Sequence, residues 1–247
     1  MTVVQNQLME RLPDTDRQLL LAICEPVTLV LSEVLCDHGT PTEHVYFPTQ
    51  GFISLVTQIE GHPGLEVGMI GREGMLGSHL ALGILTEPLH ALVQGAGEAW
   101  RADTGPFLSA MAHSLALQRL IKRYLYVRMS QSAASAACLR FHLIGPRLAR
   151  WLLMSQDRAQ SDRFRVTQEF LAYMLGVRRV GVTMAAGALQ RSGLIKYHRG
   201  DLTVLDRPRL ELAACGCYAA DRRVYSDLLP EPDAVPAPLA SVCIASS

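Results

Sequence analysis

The spacing of apolar residues changes character twice along the chain. Leu8, Leu12, Leu19, Leu20 and Ile23 suggest short helical pieces broken at Pro13. From Val27 to about Trp100, short runs rich in Val, Ile, Leu and Phe alternate with Gly and Pro. They include 27–31, 45–47, 52–56, 65–70 and 89–93. Turns about every ten residues predict a small antiparallel barrel or jelly roll. From Phe107 to Leu143 there is no glycine, and Leu117, Leu120, Tyr124, Val127, Gln131, Ala134, Cys138 and Phe141 recur with alternating steps of three and four. That is the seam of a coiled coil. Spacing alone serves equally for a helix lying on its own barrel, but the Ser/Ala-rich stretch 130–137 allows close helix approach and favours a dimerisation helix. Gly145-Pro146 is expected to end it.

The remaining pattern is shorter in period and richer in signals. A helix is expected from Arg147 to about Met154, apolar at Leu148 and Leu152 and basic on its other side, followed by a loop over 155–163. Thr167 can cap a helix with an apolar face of Phe170, Leu171, Met174 and Leu175, and Gly176 supplies the turn that stops it. A second helix follows over Arg179–Arg191, with Val182, Ala185, Ala186 and Leu189 at core spacing. Two such helices joined by a short glycine turn predict a helix-turn-helix. The runs 194–198 and 202–205 around Arg199-Gly200-Asp201 read as a hairpin wing. After Leu229 four prolines in 18 residues predict a disordered tail. The expected class is α+β, with a jelly roll and N-terminal helices (1–106), a dimerisation helix (107–143), a winged helix-turn-helix (144–225) and a tail (230–247).

Charge sharpens this division. The 247 residues carry 23 basic and 23 acidic groups, yet residues 1–136 have a net charge of −5, residues 137–229 of +7 and the tail of −2. A basic module joined to an acidic one points to polyanion binding by the C-terminal part. The N-terminus has no basic segment leading into an apolar stretch, and no uncharged apolar run reaches the roughly 18 residues of a membrane span. A cytosolic protein with no membrane partner is expected. Six scattered cysteines argue against a disulfide framework and read mainly as small apolar filler.

The candidate chemistry lies in the predicted helix-turn-helix. Arg178 and Arg179 stand at the start of the second helix, where a helix in the major groove presents them to base edges; a guanidinium fork fits the O6 and N7 of guanine. Thr167 and Gln168 can offer donors to a phosphate. Lys196, His198 and Arg199 on the wing can reach the flanking backbone. One arginine at a helix start is ordinarily a solvated surface group; several in one basic domain point to DNA.

The stretch from Thr167 to Asp206, with Arg147-Leu-Ala-Arg-Trp-Leu-Leu before it, resembles the Crp/Fnr superfamily of bacterial transcription regulators, and the likeness extends over roughly residues 8–225. The resemblance implies a cyclic-nucleotide-binding-type jelly roll, a homodimer formed through the long helix, a winged helix that reads a palindrome, and RNA polymerase as a further candidate partner. The reading head departs from the family's usual Ser-Arg-Glu-Thr-Val start: here it is Arg178-Arg179-Val180-Gly181-Val182-Thr183-Met184. Arg179 keeps a base-reading group, Arg178 and Thr183 are candidates for part of the readout, and Val180 for a thymine methyl.

The family's cyclic-nucleotide cassette is missing its key groups. By the resemblance, Ser78 stands where the ribose-binding Glu belongs, and Leu89, beside His90, where the phosphate-binding Arg belongs. No arginine lies between Arg72 and Arg101. An anion buried without its bidentate arginine keeps its desolvation cost and loses the compensating contact, so weak or no cyclic AMP binding is expected. An iron–sulfur cluster lacks four grouped thiolates near the N-terminus, and the histidines at 38, 44, 62, 79 and 90 show no informative spacing. No cofactor, no metal and no catalytic residue is expected; the small-molecule effector is unknown. Enzyme motifs such as Gly-x-Ser-x-Gly or His-Glu-x-x-His do not occur. The alternatives are a ligand- or redox-responsive regulator using the jelly-roll pocket or the Cys215/Cys217 pair, and a scaffold module that binds no DNA.

Overall fold

The computed structural model describes residues 6–60 and 64–230; of the tail expected to be disordered (230–247) all but Pro230, and also His62, lie outside them. Two short helices, α1 (Gln7–Glu10) and α2 (Asp14–Ala22), precede seven strands: β1 (Glu25–Leu29), β2 (Val34–Cys36), β3 (His44–Pro48), β4 (Phe52–Thr57), β5 (Leu65–Ile70), β6 (His90–Gly95) and β7 (Gly97–Asp103). They form two antiparallel sheets, β1-β7-β3 and β2-β6-β4-β5, the jelly roll expected from the turn spacing. Strands β2 and β7 had no clear signal. The first has three residues, and the second mixes Gly, Ala and charged groups around a single Trp.

Strand β4 explains why its sequence is nearly all apolar. Ile53 and Leu55 point into the barrel with Leu29, Ile70, Ala91 and Val93, whereas Phe52 and Val56 join a second core made by helices of the C-terminal region. A strand covered on both faces loses the alternation of a half-exposed one.

The long helix is interrupted where a continuous one is expected. Helix α3 (Thr104–His113) ends before Ser114, whose extended backbone starts α4 (Leu115–Phe141) and whose hydroxyl accepts from Leu117 N at 3.0 Å. The predicted dimer seam also needs correction. Leu117, Tyr124, Val127 and Cys138 are buried within the chain itself, and Leu120 packs against the same core. Gln131 and Ala134 are half-buried on that side, and only Phe141 is exposed. The three–four spacing marks a buried face but not its partner, and here the jelly roll and a returning C-terminal helix cover it.

Gly145-Pro146 does not end a helix. The break is at His142–Leu143, and Pro146 sits in the first turn of α5 (Ile144–Ala159), where a missing N–H costs no hydrogen bond. Helix α5 runs five residues past the predicted end, and the expected loop narrows to 160–162 before β8 (Arg163–Arg165). Its basic side does not face solvent. Arg147 donates to Leu175 O; Arg150 pairs with Asp221 at 2.6 Å and Arg158 with Glu73 at 2.9 Å.

Two helices close the described chain, α8 (Arg207–Ala213) and α9 (Cys217–Leu228). Helix α9 folds back along α4, so that Val224, Tyr225 and Leu228 pack on the N-terminal core. There Tyr225 OH donates to Glu73 O at 2.5 Å and Arg11 donates to Leu229 O at 2.8 Å.

Candidate nucleic-acid interface

Helix α6 (Gln168–Leu175) is capped by Thr167, whose hydroxyl accepts from Phe170 N at 3.1 Å. It stops at Gly176, whose φ of 60° only glycine adopts without strain. Val177 N then donates back to Ala172 O at 3.0 Å. Helix α7 occupies Arg179–Arg191, and Val182, Ala185, Ala186 and Leu189 bury one face against α5 and α6. The wing has three strands in the order β8-β10-β9, with β9 at Ile195–His198 and β10 at Asp201–Val204. Arg199 (φ 48°) and Gly200 (φ 89°) form its tip, a turn with both central residues left-handed, as the twist of a tight hairpin requires.

The wing is held against the reading helices by specific bonds. Tyr197 OH donates to Val166 O at 2.8 Å, and Tyr197 N donates to Gln190 Oε1 at 2.7 Å. Burial pushes the Tyr197 phenol up to about 12 while the positive charge of Arg179 acts in the opposite sense, which puts the start of α7 within electrostatic reach of the wing.

Thr167, Arg178, Arg179, Val180, Thr183, Lys196 and Arg199 are all exposed, and Gln168 is half-buried. Arg178, Arg179, Val180 and Thr183 lie together at the N-terminal end of α7. The Thr183 hydroxyl is 2.6 Å from Gln168 Oε1 and 3.1 Å from Arg179 O, so Thr183 and Gln168 tie the two helices together. A base contact by Thr183 would have to share that hydroxyl.

The structure sets further residues beside the ones flagged in the sequence. Met184 is 71% exposed, one turn from the 63% exposed Val180 on the outer face of α7, where large apolar groups have no core to fill. Arg191 is exposed at the end of the same helix, and Arg163 and Arg165 are exposed on β8. Period-two or helical patterning flags apolar residues that recur inward, and Met184 recurs outward. Strand β8 was hidden because three residues carry too little pattern.

The candidate effector residues lie in the jelly roll. Ser78 opens a short 3-10 helix (Ser78–Leu82) after Gly77. Leu89 packs against the apolar barrel interior. His90 Nδ1 is 2.7 Å from Asp37 Oδ1, so an acidic partner already holds it. A cavity of about 560 Å³ lies outside the barrel, between Arg72, Glu73, Arg158 and the helix α9 residues Asp221, Arg222 and Tyr225.

A jelly roll, a long helix and a winged helix-turn-helix, joined in that order, define a two-module architecture. Residues 146–213 match the Crp-like helix-turn-helix domain. Among solved structures, the chain is similar to the c-di-GMP responsive global regulator CLP of Xanthomonas campestris (17% identity, TM-score 0.63, 78% of this chain and 100% of that one). It is also similar to a CRP/FNR-family transcriptional regulator of Thermus thermophilus (20%, 0.63, 77% and 98%) and to a CooA mutant from Carboxydothermus hydrogenoformans (15%, 0.56, 83% and 98%). A comparison with curated protein sequences gives no significant match. Residues 146–213 thus carry a Crp-like helix-turn-helix domain, and the chain as a whole has the fold of the Crp/Fnr-family structures it is similar to. Among the described residues no helix is long and apolar enough to cross a membrane.

Proposed function

We propose that the protein binds a palindromic DNA site as a homodimer, with α7 in the major groove, and that it does so without cyclic AMP. The observation that carries the reading is the exposed edge at the start of α7, where two arginines stand beside the apolar Val180 and Met184 with no partner within the core. That set suits a guanine beside a thymine methyl. Thr167 and the wing residues Lys196 and Arg199 supply phosphate contacts on either side.

Support for the dimer comes from the outer face of α4. Lys122, Tyr126, Met129, Ala133, Ala136 and Arg140 are exposed at alternating steps of four and three, on the side of the helix opposite the buried seam. Tyr126 and Met129 are 61% and 68% exposed and the following alanines are small, a combination that fits a close parallel or antiparallel mate. Against cyclic AMP stand Leu89 in place of a phosphate-binding arginine, a His90 engaged by Asp37, and a barrel interior filled by its own apolar side chains.

The test is selection of bound duplexes from a random pool, with and without cyclic AMP, followed by titration of the selected duplex. A palindrome is expected, with affinity unchanged by the nucleotide and falling with salt at a log–log slope of about −0.9 per phosphate neutralised. Arg179→Ala should cost about 1–3 kcal/mol and relax one base pair per half-site. Unchanged specific and non-specific affinity in that variant would remove α7 as the reader. A several-fold gain on adding cyclic AMP would reject the effector reading.

A further inference from the structure

Four metal-ligating side chains from distant parts of the sequence meet at the joint between the long helix and the DNA-binding region. Cys138 and His142 are one turn apart at the C-terminal end of α4; Cys215, after α8, and Cys217, the first residue of α9, flank Gly216. Their ligand atoms all lie within 4.8 Å of one another. Cys138 Sγ is 3.5 Å from Cys215 Sγ, and Cys217 Sγ is 3.6 Å from His142 Nδ1. We propose that Cys138, His142, Cys215 and Cys217 form a tetrahedral Cys₃His site for one soft divalent cation, zinc in the first instance.

The spacing decides between the uses such a cluster could have. A disulfide needs sulfurs about 2.05 Å apart, so Cys138 and Cys215 are too far apart to be bonded in this geometry. Zinc binds sulfur at about 2.3 Å and imidazole nitrogen at about 2.0–2.1 Å. The edges of a tetrahedron on those bonds are roughly 3.8 Å between sulfurs and roughly 3.6 Å between sulfur and nitrogen. The observed separations of 3.5 and 3.6 Å are close to both. A multi-iron cluster spreads its four protein ligands over two or more irons and so holds ligands on different irons farther apart than one shared ion does, whereas here all four ligand atoms lie within 4.8 Å of one another. Three thiolates with one imidazole is also a donor set that soft cations favour and that calcium or magnesium do not.

The surroundings suit the charge. Three thiolates and a neutral imidazole on a divalent ion leave one net negative charge, and the Arg147 and Arg150 guanidinium groups act electrostatically on Cys138 and Cys215. Binding releases three thiol protons to solvent as three metal–sulfur bonds form. The sequence pattern gives no sign of a metal because the ligands pair up only in the fold: Cys138 passes as a seam residue, and the Cys-x-Cys pair is 77 residues further on. The site would staple the end of α4 to the α8–α9 joint, across the α4–α5 break that leads into the DNA-binding region. On the DNA-binding reading above, occupancy would therefore bias the orientation of the winged helix.

The experiment uses the full chain, purified reduced and metal-free. Titration with Co²⁺ should give the strong visible absorption of a tetrahedral thiolate site, saturating at one ion per chain. Zn²⁺ should displace it stoichiometrically and withstand a chromogenic chelator. Cys217→Ser and His142→Ala, at positions less enclosed than Cys215, should each weaken Zn²⁺ affinity at least tenfold while circular dichroism stays unchanged. Absence of the cobalt spectrum in folded, reduced protein overturns the site. So does zinc binding that neither substitution weakens, and so does a Cys138–Cys215 disulfide forming in air in protein that never takes up metal. Specific DNA affinity is measured separately with and without Zn²⁺. Metal uptake with unchanged DNA affinity sustains the site and rejects only the orienting effect, whereas loss of all DNA binding in both states counts against the DNA reading and leaves the cobalt spectrum to judge the metal.

Discussion

At the scale of single residues, Gly176 shows how a local signal and a distant contact combine. Its left-handed φ was foreseeable from its place after Leu175. The structure adds that a Cβ there would meet Leu65 Cδ1 at 2.7 Å, on strand β5 of the jelly roll. Gly176→Ala should therefore cost about 1–2 kcal/mol from backbone strain, and more if Leu65 cannot give way, read as a lower urea midpoint with an unchanged slope. Arg147 illustrates the opposite case. Helical spacing put it on a basic face, yet it is 8% exposed and donates to the carbonyl of Leu175. A helix wheel records which residues share a side; it does not record that a neighbouring helix end offers unsatisfied carbonyls there.

At the scale of elements, α4 has one face buried by its own chain and one exposed face to which the proposed dimer assigns a mate, and paired substitutions separate them. Met129→Glu on the outer face should yield folded monomers by sedimentation, with much weaker palindrome binding. Val127→Glu, at a fully buried position, should instead lower the stability of the chain itself by several kcal/mol, since it buries a charge with no partner. A dimer retained in Met129→Glu would show that α4 mates elsewhere. The α5–α9 contact gives a second test. Arg150 and Asp221 pair at 2.6 Å with both side chains nearly buried. Asp221→Ala should cost about 3–5 kcal/mol because it strands the arginine, whereas the double variant Arg150→Met/Asp221→Leu should recover most of that loss. Thermal unfolding of the three variants measures the difference. The return of helix α9 to the N-terminal domain was not legible in the sequence. Val224, Tyr225 and Leu228 are too few to announce which core they join.

At the scale of the whole molecule, the opposite charges of the two modules meet at their boundary as well as facing solvent. Arg158 from the basic half pairs with Glu73 from the acidic half, and Trp151 Nε1 donates to Glu66 Oε1 at 2.9 Å. Burial pushes the Glu66 carboxyl from its ordinary value of 4.5 up to about 7, against the opposing effect of bonds from Ser54 and Trp151 and the nearby Arg158 and Arg150 charges. Between those two values the folded chain keeps a proton that the unfolded chain has lost. Stability should therefore fall as pH rises from about 4.5 to about 7, by up to about 3 kcal/mol, and level off above. Glu66→Gln should flatten that stretch of the pH profile in urea unfolding; an unaltered profile would show that Glu66 is not its source.

The sequence by itself determined the order of the modules and the local form of the reading head. Turn spacing marked the jelly roll, and Thr167, Gly176 and Arg199-Gly200 marked caps and turns within a few residues of where they act. Capping and turn formation depend on neighbours in the chain, so their signals are written locally. Only the tertiary structure decided which face of α4 is covered by its own chain, that three arginines of α5 are engaged internally, and that Cys138 and His142 meet Cys215 and Cys217. Those outcomes depend on what packs against a surface from far along the chain. Apolar spacing records that a face is buried and carries no label for what buries it.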